Sequence, residues 1–159
     1  MATPLTKHFT LEEMTTTSVR GVNNTPTKAE RTNLLRTCTD GMEPIREQFG
    51  PIHVNSGFRG PAVNKAIGGS KTSAHMKGLA CDFIPCVDGI TFKEVFEWII
   101  NDSDIEYDQL IAEYWRDGGG WIHIGFAVAG KEPRGQVLMI GAWTKGKYAI
   151  YDPDLVPDL

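Results

Sequence analysis

The chain is most informative over residues 73–82, which read Ser73-Ala74-His75-Met76-Lys77-Gly78-Leu79-Ala80-Cys81-Asp82. The glycine and the apolar run after it predict a loop that turns tightly at Gly78 and then enters a strand. The histidine would therefore lie on the loop and the aspartate on the strand. A carboxylate between apolar neighbours needs a cationic partner or a metal ion, because burying an unpaired charge is costly.

A second histidine stands in similar surroundings further along, in the sequence Trp121-Ile122-His123. It lies between two isoleucines, and the alternation of a strand would place it on the face opposite to theirs. Two imidazoles and one carboxylate suit a catalytic zinc ion, which takes three protein ligands and leaves a fourth position to water. A lone strand histidine is more often structural, so from residue types alone both interpretations stay open.

Helix signals lie mostly before and between the strand signals. Capping boxes at 10–13 and 27–30 each pair a threonine with a glutamate three residues later. Apolar residues recur at three- and four-residue steps from Leu34 to Phe49, which is typical of one helical face. Gly41 and Pro44 interrupt that run, so we expect a kink or two shorter helices there. Two further helices are predicted at 61–67 and 91–100.

The strand signals are short and closely spaced, which argues against a doubly wound sheet. They predict an α+β fold in which helices pack on one face of a small, mainly antiparallel sheet. The predicted strands are 52–54, 79–84, 109–112, 121–126 and 136–140.

Length and composition favour one soluble domain spanning residues 1–159. The net charge of −4 argues against a nucleic-acid partner, because nonspecific binding needs a basic face. No apolar run is long enough to cross a membrane, and the N-terminus lacks a signal peptide, so we expect synthesis in the cytoplasm. The three cysteines form no CxxC pair, and we expect free buried thiols. We also expect a monomer.

The motif Ser-x-His-x-x-Gly-x-Ala-x-Asp followed by Trp-x-His resembles one known enzyme group. It looks like the zinc D-alanyl-D-alanine carboxypeptidase and L-alanyl-D-glutamate endopeptidase superfamily, whose fold is shared with the hedgehog signalling domain. The resemblance extends upstream to Ser56-Gly57-Phe58-Arg59, and residues 9–13 and 24–26 look like the opening of compact phage-type members. It covers roughly residues 8–142 and leaves the structure of the tail, 143–159, open.

The resemblance implies a role for particular residues of this chain. His75, Asp82 and His123 would bind one zinc ion. Arg59 would hold a carboxylate or carbonyl of the substrate, since its planar fork suits bidentate contact. Ser73 would support the site by hydrogen bonding. Trp115 and Trp121 would line the groove, with ordinary packing of large aromatic side chains as the alternative for both.

The resemblance does not identify the general base, the group that takes a proton from the attacking water. Many relatives place an acidic residue three positions before the last histidine, where this chain has Gly120. Glu113 is our preferred replacement, because it would end one strand of a hairpin whose other strand carries His123. Asp117 is the alternative base, but it lies in a polar turn.

The resemblance implies a zinc metallopeptidase that cuts an amide bond in peptidoglycan stem peptides. With no signal peptide, such an enzyme would act on the cell wall after release, as a phage or prophage lysis enzyme, or be carried in a phage particle. Carboxypeptidase and endopeptidase cleavage both stay open. The alternatives are a non-catalytic, zinc-stabilised binding module and a phage virion component with the same fold.

Overall fold

The computed structural model describes residues 2–157, which form an α+β fold of the predicted class. A π-helical turn, Cys38–Met42, joins the second and third α-helices, and 3-10 turns occupy Ala74–Lys77 and Ala142–Thr144. The α-helices are α1 (Leu11–Met14), α2 (Lys28–Thr37), α3 (Glu43–Phe49), α4 (Pro61–Ala66) and α5 (Phe92–Asn101). The strands are β1 (Ile52–Ser56), β2 (Ala80–Pro85), β3 (Gln109–Arg116), β4 (Gly119–Gly125), β5 (Gln136–Ile140) and β6 (Ala149–Ile150).

Local side-chain capping defines the start of three helices. Both predicted capping boxes are confirmed: Thr10 accepts a hydrogen bond from the Glu13 backbone N–H, and Thr27 accepts one from that of Glu30. Thr91 caps α5 in the same way. These bonds satisfy N–H groups that the helix itself leaves unpaired, which is why the helix starts could be predicted from sequence.

The predicted interruption of the long helical run takes the form of the π-helical turn between α2 and α3. Pro44 lies in the first turn of α3, where its missing N–H costs no hydrogen bond. Gly41 packs against Phe126, and a Cβ at Gly41 would lie 2.5 Å from the end of that ring. One predicted member of the apolar face, Leu35, is instead 43% exposed.

All six strands belong to one sheet, in the order β1-β2-β4-β3-β5-β6. Neighbouring strands are antiparallel except β3 and β5, which are parallel. Neither this parallel pair nor β6 was predicted. The tail, described as far as residue 157, contributes β6 to the sheet and the buried side chain of Val156 to the core.

The two faces of the sheet have different surroundings. One face carries apolar side chains that join the helices in a single core, with α2 and α5 packed against β2 and α5 also against β4. Burial of each large core side chain stabilises the fold by about 1.5–3 kcal/mol. The opposite face forms the floor of a cleft of about 910 Å³. The core-facing strand residues are Val54, Cys81, Phe83, Leu110, Ala112, Trp115, Ile122, Ile124 and Met139.

A bulge interrupts the β3–β4 pairing between Glu113 and Arg116. At its centre Tyr114 has a φ of +55°, in the left-handed region that non-glycine residues rarely occupy. The bulge reverses the alternation of β3, so that Trp115 lies in the core against Phe96, with ring centroids 5.3 Å apart.

The remaining sequence predictions concern thiols and membranes. Cys38 and Cys81 are buried free thiols, as expected, whereas Cys86 is free but exposed. Among the helices of residues 2–157, none is long and apolar enough to span a bilayer.

Candidate metal centre

His75 lies in the 3-10 turn that precedes β2, and the local sequence fixes this turn at both ends. Ser73 caps its start, with Oγ accepting a hydrogen bond of 3.2 Å from the His75 backbone N–H. Gly78 ends it with a φ of +75°. A Cβ at Gly78 would lie 2.5 Å from the Glu30 carbonyl oxygen, so the turn also needs glycine for its close approach to α2. The predicted tight turn at Gly78 is therefore confirmed.

Asp82 and His123 are brought together by the pairing of β2 with β4, in which they lie directly opposite each other. Because successive strand residues point to opposite faces, both project away from the helix-covered core. This arrangement confirms that His123 faces away from Ile122 and Ile124.

The three predicted ligands meet at one point. Asp82 Oδ1 lies 2.9 Å from His123 Nδ1 and 3.2 Å from His75 Nε2. One donor atom from each of the three residues lies within 4.8 Å of the other two. The side chains of His75 and Asp82 are only 2% and 14% exposed, so the donors are largely withdrawn from water.

The hydrogen bonds of His75 leave it ready to bind a metal ion. Its Nδ1 lies 2.7 Å from the Gly57 carbonyl oxygen and donates a proton to it. In a neutral imidazole the other nitrogen, Nε2, then carries the lone pair. That nitrogen is buried and makes no hydrogen bond of standard geometry within the described residues, although it lies 3.2 Å from Asp82 Oδ1. A buried acceptor of this kind beside a carboxylate is typical of a metal ligand, so the residues fit a metal centre.

The pKa of the Asp82 carboxyl group is also consistent with a metal centre. Burial alone would raise the pKa of its carboxyl group, but the charges of His75 and His123, when their rings are protonated, and their hydrogen bonds hold the pKa well below its ordinary value. Asp82 is therefore ionised and available as a ligand. Two imidazoles and one carboxylate suit zinc, so this candidate site fits a zinc ion.

Glu113 lies in the same cleft as the three ligands. Its partner in the β3–β4 pairing is Trp121, which precedes His123 by two residues on β4. Burial raises the pKa of Glu113 to about 7, and Asp82 adds to this rise, whereas His123 and Arg59 act against it. A carboxyl group with a pKa near neutrality is suited to exchange protons at physiological pH.

The alternative acid, Asp117, lies elsewhere. It is exposed, in the turn between β3 and β4, and is not among the residues that line the cleft. Of the two candidate bases, only Glu113 is therefore brought to the candidate metal centre in this structure.

Arg59 follows β1 and reaches the cleft from the side of the sheet where Asp82 lies. Its Nη2 donates a hydrogen bond of 3.4 Å to Ser73 Oγ, and its backbone N–H donates to the His75 carbonyl oxygen. The buried Nε has no partner within residues 2–157. Burial lowers the pKa of the guanidinium, while Asp82 and Glu113 act against that change. Arginine remains charged in proteins, so Arg59 contributes a positive charge to the wall of the cleft.

The aromatic lining of the cleft differs from expectation. Of the two tryptophans predicted for it, Trp121 lines the cleft, whereas Trp115 packs in the core. The indole N–H of Trp121 is buried and makes no hydrogen bond of standard geometry within the described residues, although it lies close enough to Glu113 to act against the rise in that pKa. Tyr114 and Tyr148 also line the cleft, and sequence reasoning missed both. Tyr114 would have faced the core without the bulge, and Tyr148 lies in the tail.

Comparison with known proteins agrees with this geometry. A family model described as peptidase M15 matches residues 7–109, about two thirds of the chain. A comparison with curated proteins gave no significant match. The matched span includes His75 and Asp82 and ends before Glu113 and His123, whose placement rests on the geometry above. The match confirms the resemblance inferred from the His-to-Asp motif, and the chain therefore belongs to the peptidase M15 family of metallopeptidases.

Proposed function

We propose that the protein is a zinc-dependent peptidase that hydrolyses an amide bond in peptidoglycan stem peptides. The observation that carries the proposal is the meeting of His75, Asp82 and His123 in one cleft that also holds Glu113. Three protein ligands are typical of catalytic zinc sites, whereas structural sites use four.

His75, Asp82 and His123 would hold the ion, which when bound supplies a Lewis acid that activates water and polarises a carbonyl group. Glu113 would take the proton from the attacking water at its carboxylate and deliver it to the leaving amine. Its pKa near 7 supports both halves of that exchange, because neither protonation state is strongly disfavoured at neutral pH.

Arg59 would orient the substrate by hydrogen bonding to a carboxylate or carbonyl oxygen, since its guanidinium group belongs to the wall of the cleft. Ser73 would keep the guanidinium in position, since its hydroxyl contacts both Arg59 and the backbone of His75. Trp121 would form part of the groove wall.

The peptidoglycan substrate and the setting follow from the resemblance to compact phage-type enzymes. We propose a phage or prophage lysis enzyme that acts as a monomer on the cell wall after release from the cytoplasm. Presence of the protein in purified phage particles would instead assign it to the virion.

The test combines metal analysis with digestion of purified cell walls. Wild type is expected to copurify with one equivalent of zinc and to release stem-peptide fragments, identified by mass spectrometry. His123→Ala is expected to lose both properties. His53→Ala is the matched control, because His53 is an exposed residue of β1 outside the cleft and its loss should change neither property.

The products also determine the bond that is cut. Loss of a terminal alanine indicates a carboxypeptidase, and a new internal amine indicates an endopeptidase. A protein that binds zinc stoichiometrically and yet cuts no wall peptide would overturn the proposal and favour a zinc-stabilised binding module.

A further inference from the structure

The backbone of Tyr114 is strained. Its φ of +55° costs about 1–2 kcal/mol for a residue with a Cβ, and glycine would avoid that cost. Strained backbone persists where the surroundings fix it, and it is concentrated at functional sites. Here the strain has a visible result, because it turns the Tyr114 ring into the cleft while Trp115 enters the core.

The Tyr114 ring forms part of an exposed aromatic surface. Its centroid lies 5.5 Å from that of Trp121, with the two planes inclined by 41°. Tyr148, from the segment before β6, lines the same cleft and is 61% exposed. We refer to Tyr114, Trp121 and Tyr148 as the aromatic platform.

Strand register gives the position of the aromatic platform relative to the candidate metal centre. Trp121 precedes His123 by two residues on β4, and its partner across the sheet is Glu113. At about 3.4 Å per residue, the platform begins about 7 Å from the metal ligands. An extended chain covers this distance with about two residues. A group bound at the platform would therefore lie about two residues from the bond that is cut.

The opposite end of the cleft has a different chemistry. There Asp108 and Arg134 form a bidentate ion pair, with Lys131 and Glu132 on the adjoining loop. The charged end suits the ionised side chains of a peptide. The aromatic end, with its open ring faces and phenol hydroxyls, suits a neutral ligand that has an apolar face and a polar rim.

A pyranose ring has such a surface, since its axial C–H groups form an apolar face and its hydroxyls surround it. We propose that the aromatic platform binds the hexosamine ring from which the stem peptide hangs, so that the enzyme recognises glycopeptide and cuts near its sugar-bearing end. This inference rests on the proposed function, because it assumes that the substrate is a wall peptide. An isolated apolar side chain would be better served by an enclosed pocket than by rings this exposed.

The test compares two substrates that differ only in the sugar: a disaccharide-bearing stem peptide and the same peptide after removal of the sugar. Wild type is expected to show a kcat/KM about tenfold higher for the sugar-bearing form, the ratio that one aromatic stacking contact provides. Tyr114→Gly should bring the ratio close to one by lowering kcat/KM for the sugar-bearing form alone.

Lys145→Gly is the matched control. Lys145 also has a positive φ, +56°, but lies outside the cleft. Both glycine variants relieve the same backbone strain, so each should keep or raise the melting temperature. Only Tyr114→Gly should change the sugar preference. Equal kcat/KM values for the two substrates in wild type, or an unchanged sugar preference in Tyr114→Gly, would overturn the inference. Either result would leave the proposed peptidase activity intact.

A binding experiment separates failure of this inference from failure of the proposed function. A peptide-free N-acetylglucosamine oligosaccharide is titrated into each protein while tryptophan fluorescence is recorded. Saturable quenching in wild type that Tyr114→Gly loses supports the aromatic platform even if no wall peptide is cut. Absence of quenching together with absence of sugar preference excludes it, whichever peptides the enzyme hydrolyses.

Discussion

Gly120 lies directly against Trp115: a Cβ at Gly120 would be 2.7 Å from the Trp115 Cα and 2.6 Å from the Tyr114 carbonyl oxygen. The β3–β4 bulge therefore leaves no space for any side chain at the position where the family resemblance predicts an acid. The φ of Gly120, +93°, disfavours a side chain as well. Glu113, on the neighbouring strand, brings to the cleft a carboxylate that position 120 cannot supply.

The first prediction concerns this contact. Gly120→Ala should lower the free energy of unfolding by about 3 kcal/mol or more, because it combines backbone strain with a clash against fixed backbone atoms. Gly118→Ala is the control: Gly118 has a φ of +73° but nothing within 4 Å of a Cβ, so strain alone should cost about 1–2 kcal/mol. Urea unfolding measures both, and equal losses would show that the close contact is unimportant.

The second prediction concerns which carboxylate is the general base of the hydrolysis. Glu113→Gln should lower kcat by about 10²- to 10⁴-fold, because the variant cannot accept a proton. Zinc content and melting temperature should remain near wild type, since glutamine has the same shape. Asp117→Asn should leave kcat unchanged, because Asp117 is exposed on the hairpin turn. Loss of activity only in Asp117→Asn would reverse the assignment.

The third prediction is that zinc stabilises the fold through the three ligands. Zinc at a hundred times its Kd should add about 2.7 kcal/mol, a rise in melting temperature of about 5–10 °C for a domain of this size. His75→Ala and Asp82→Asn should each abolish most of that rise, whereas His53→Ala should retain it. An undiminished rise in the ligand variants would place the ion elsewhere on the protein.

The fourth prediction is a pH dependence at the charged end of the cleft. Hydrogen bonding from Arg134 lowers the pKa of Asp108 below its ordinary value. Stability from this pair should therefore be fully present above about pH 4, the unfolded pKa, and be lost as the pH falls through the folded pKa. Because Arg134 is 59% exposed, the contribution should be only about 0.5–1 kcal/mol.

Asp108→Asn isolates this contribution. The difference in unfolding free energy between wild type and variant should be constant from pH 5 to pH 8 and shrink below about pH 4. Urea titrations across this range measure it, and Arg134→Gln should give the same profile. A difference that does not shrink in acid would mean that the carboxylate acts through packing rather than charge.

The parts of the fold predicted from sequence are those that neighbouring residues determine. A threonine and a glutamate three residues apart form a capping box without help from the rest of the chain. Similarly, the glycine at 78 and the apolar run after it were sufficient to predict the turn and the strand that carry His75 and Asp82. The position of His123 opposite Asp82 depends on long-range pairing, and only the family resemblance anticipated it.

The features that the sequence did not predict are departures from regular strand structure, in which side chains alternate between the two faces of the sheet. Nothing in the residues around Tyr114 announces a left-handed backbone, because tyrosine disfavours it. The φ angle of Tyr114 determines that Tyr114, and not Trp115, faces the cleft. The parallel pairing of β3 with β5 was also missed, because the residues between Gly125 and Gln136 contain no helix to signal a crossover.

One consequence follows from the pleat of β2. Cys81 and Asp82 are adjacent in sequence, yet the sulfur of Cys81 points into the core while the carboxylate faces the cleft. Burial raises the pKa of that thiol well above its ordinary value, which keeps it protonated and chemically inert. A thiolate here would be a competing ligand and a target for oxidants. Strand geometry thus keeps the Cys81 sulfur away from the candidate metal centre, and we expect the centre to tolerate oxidising surroundings.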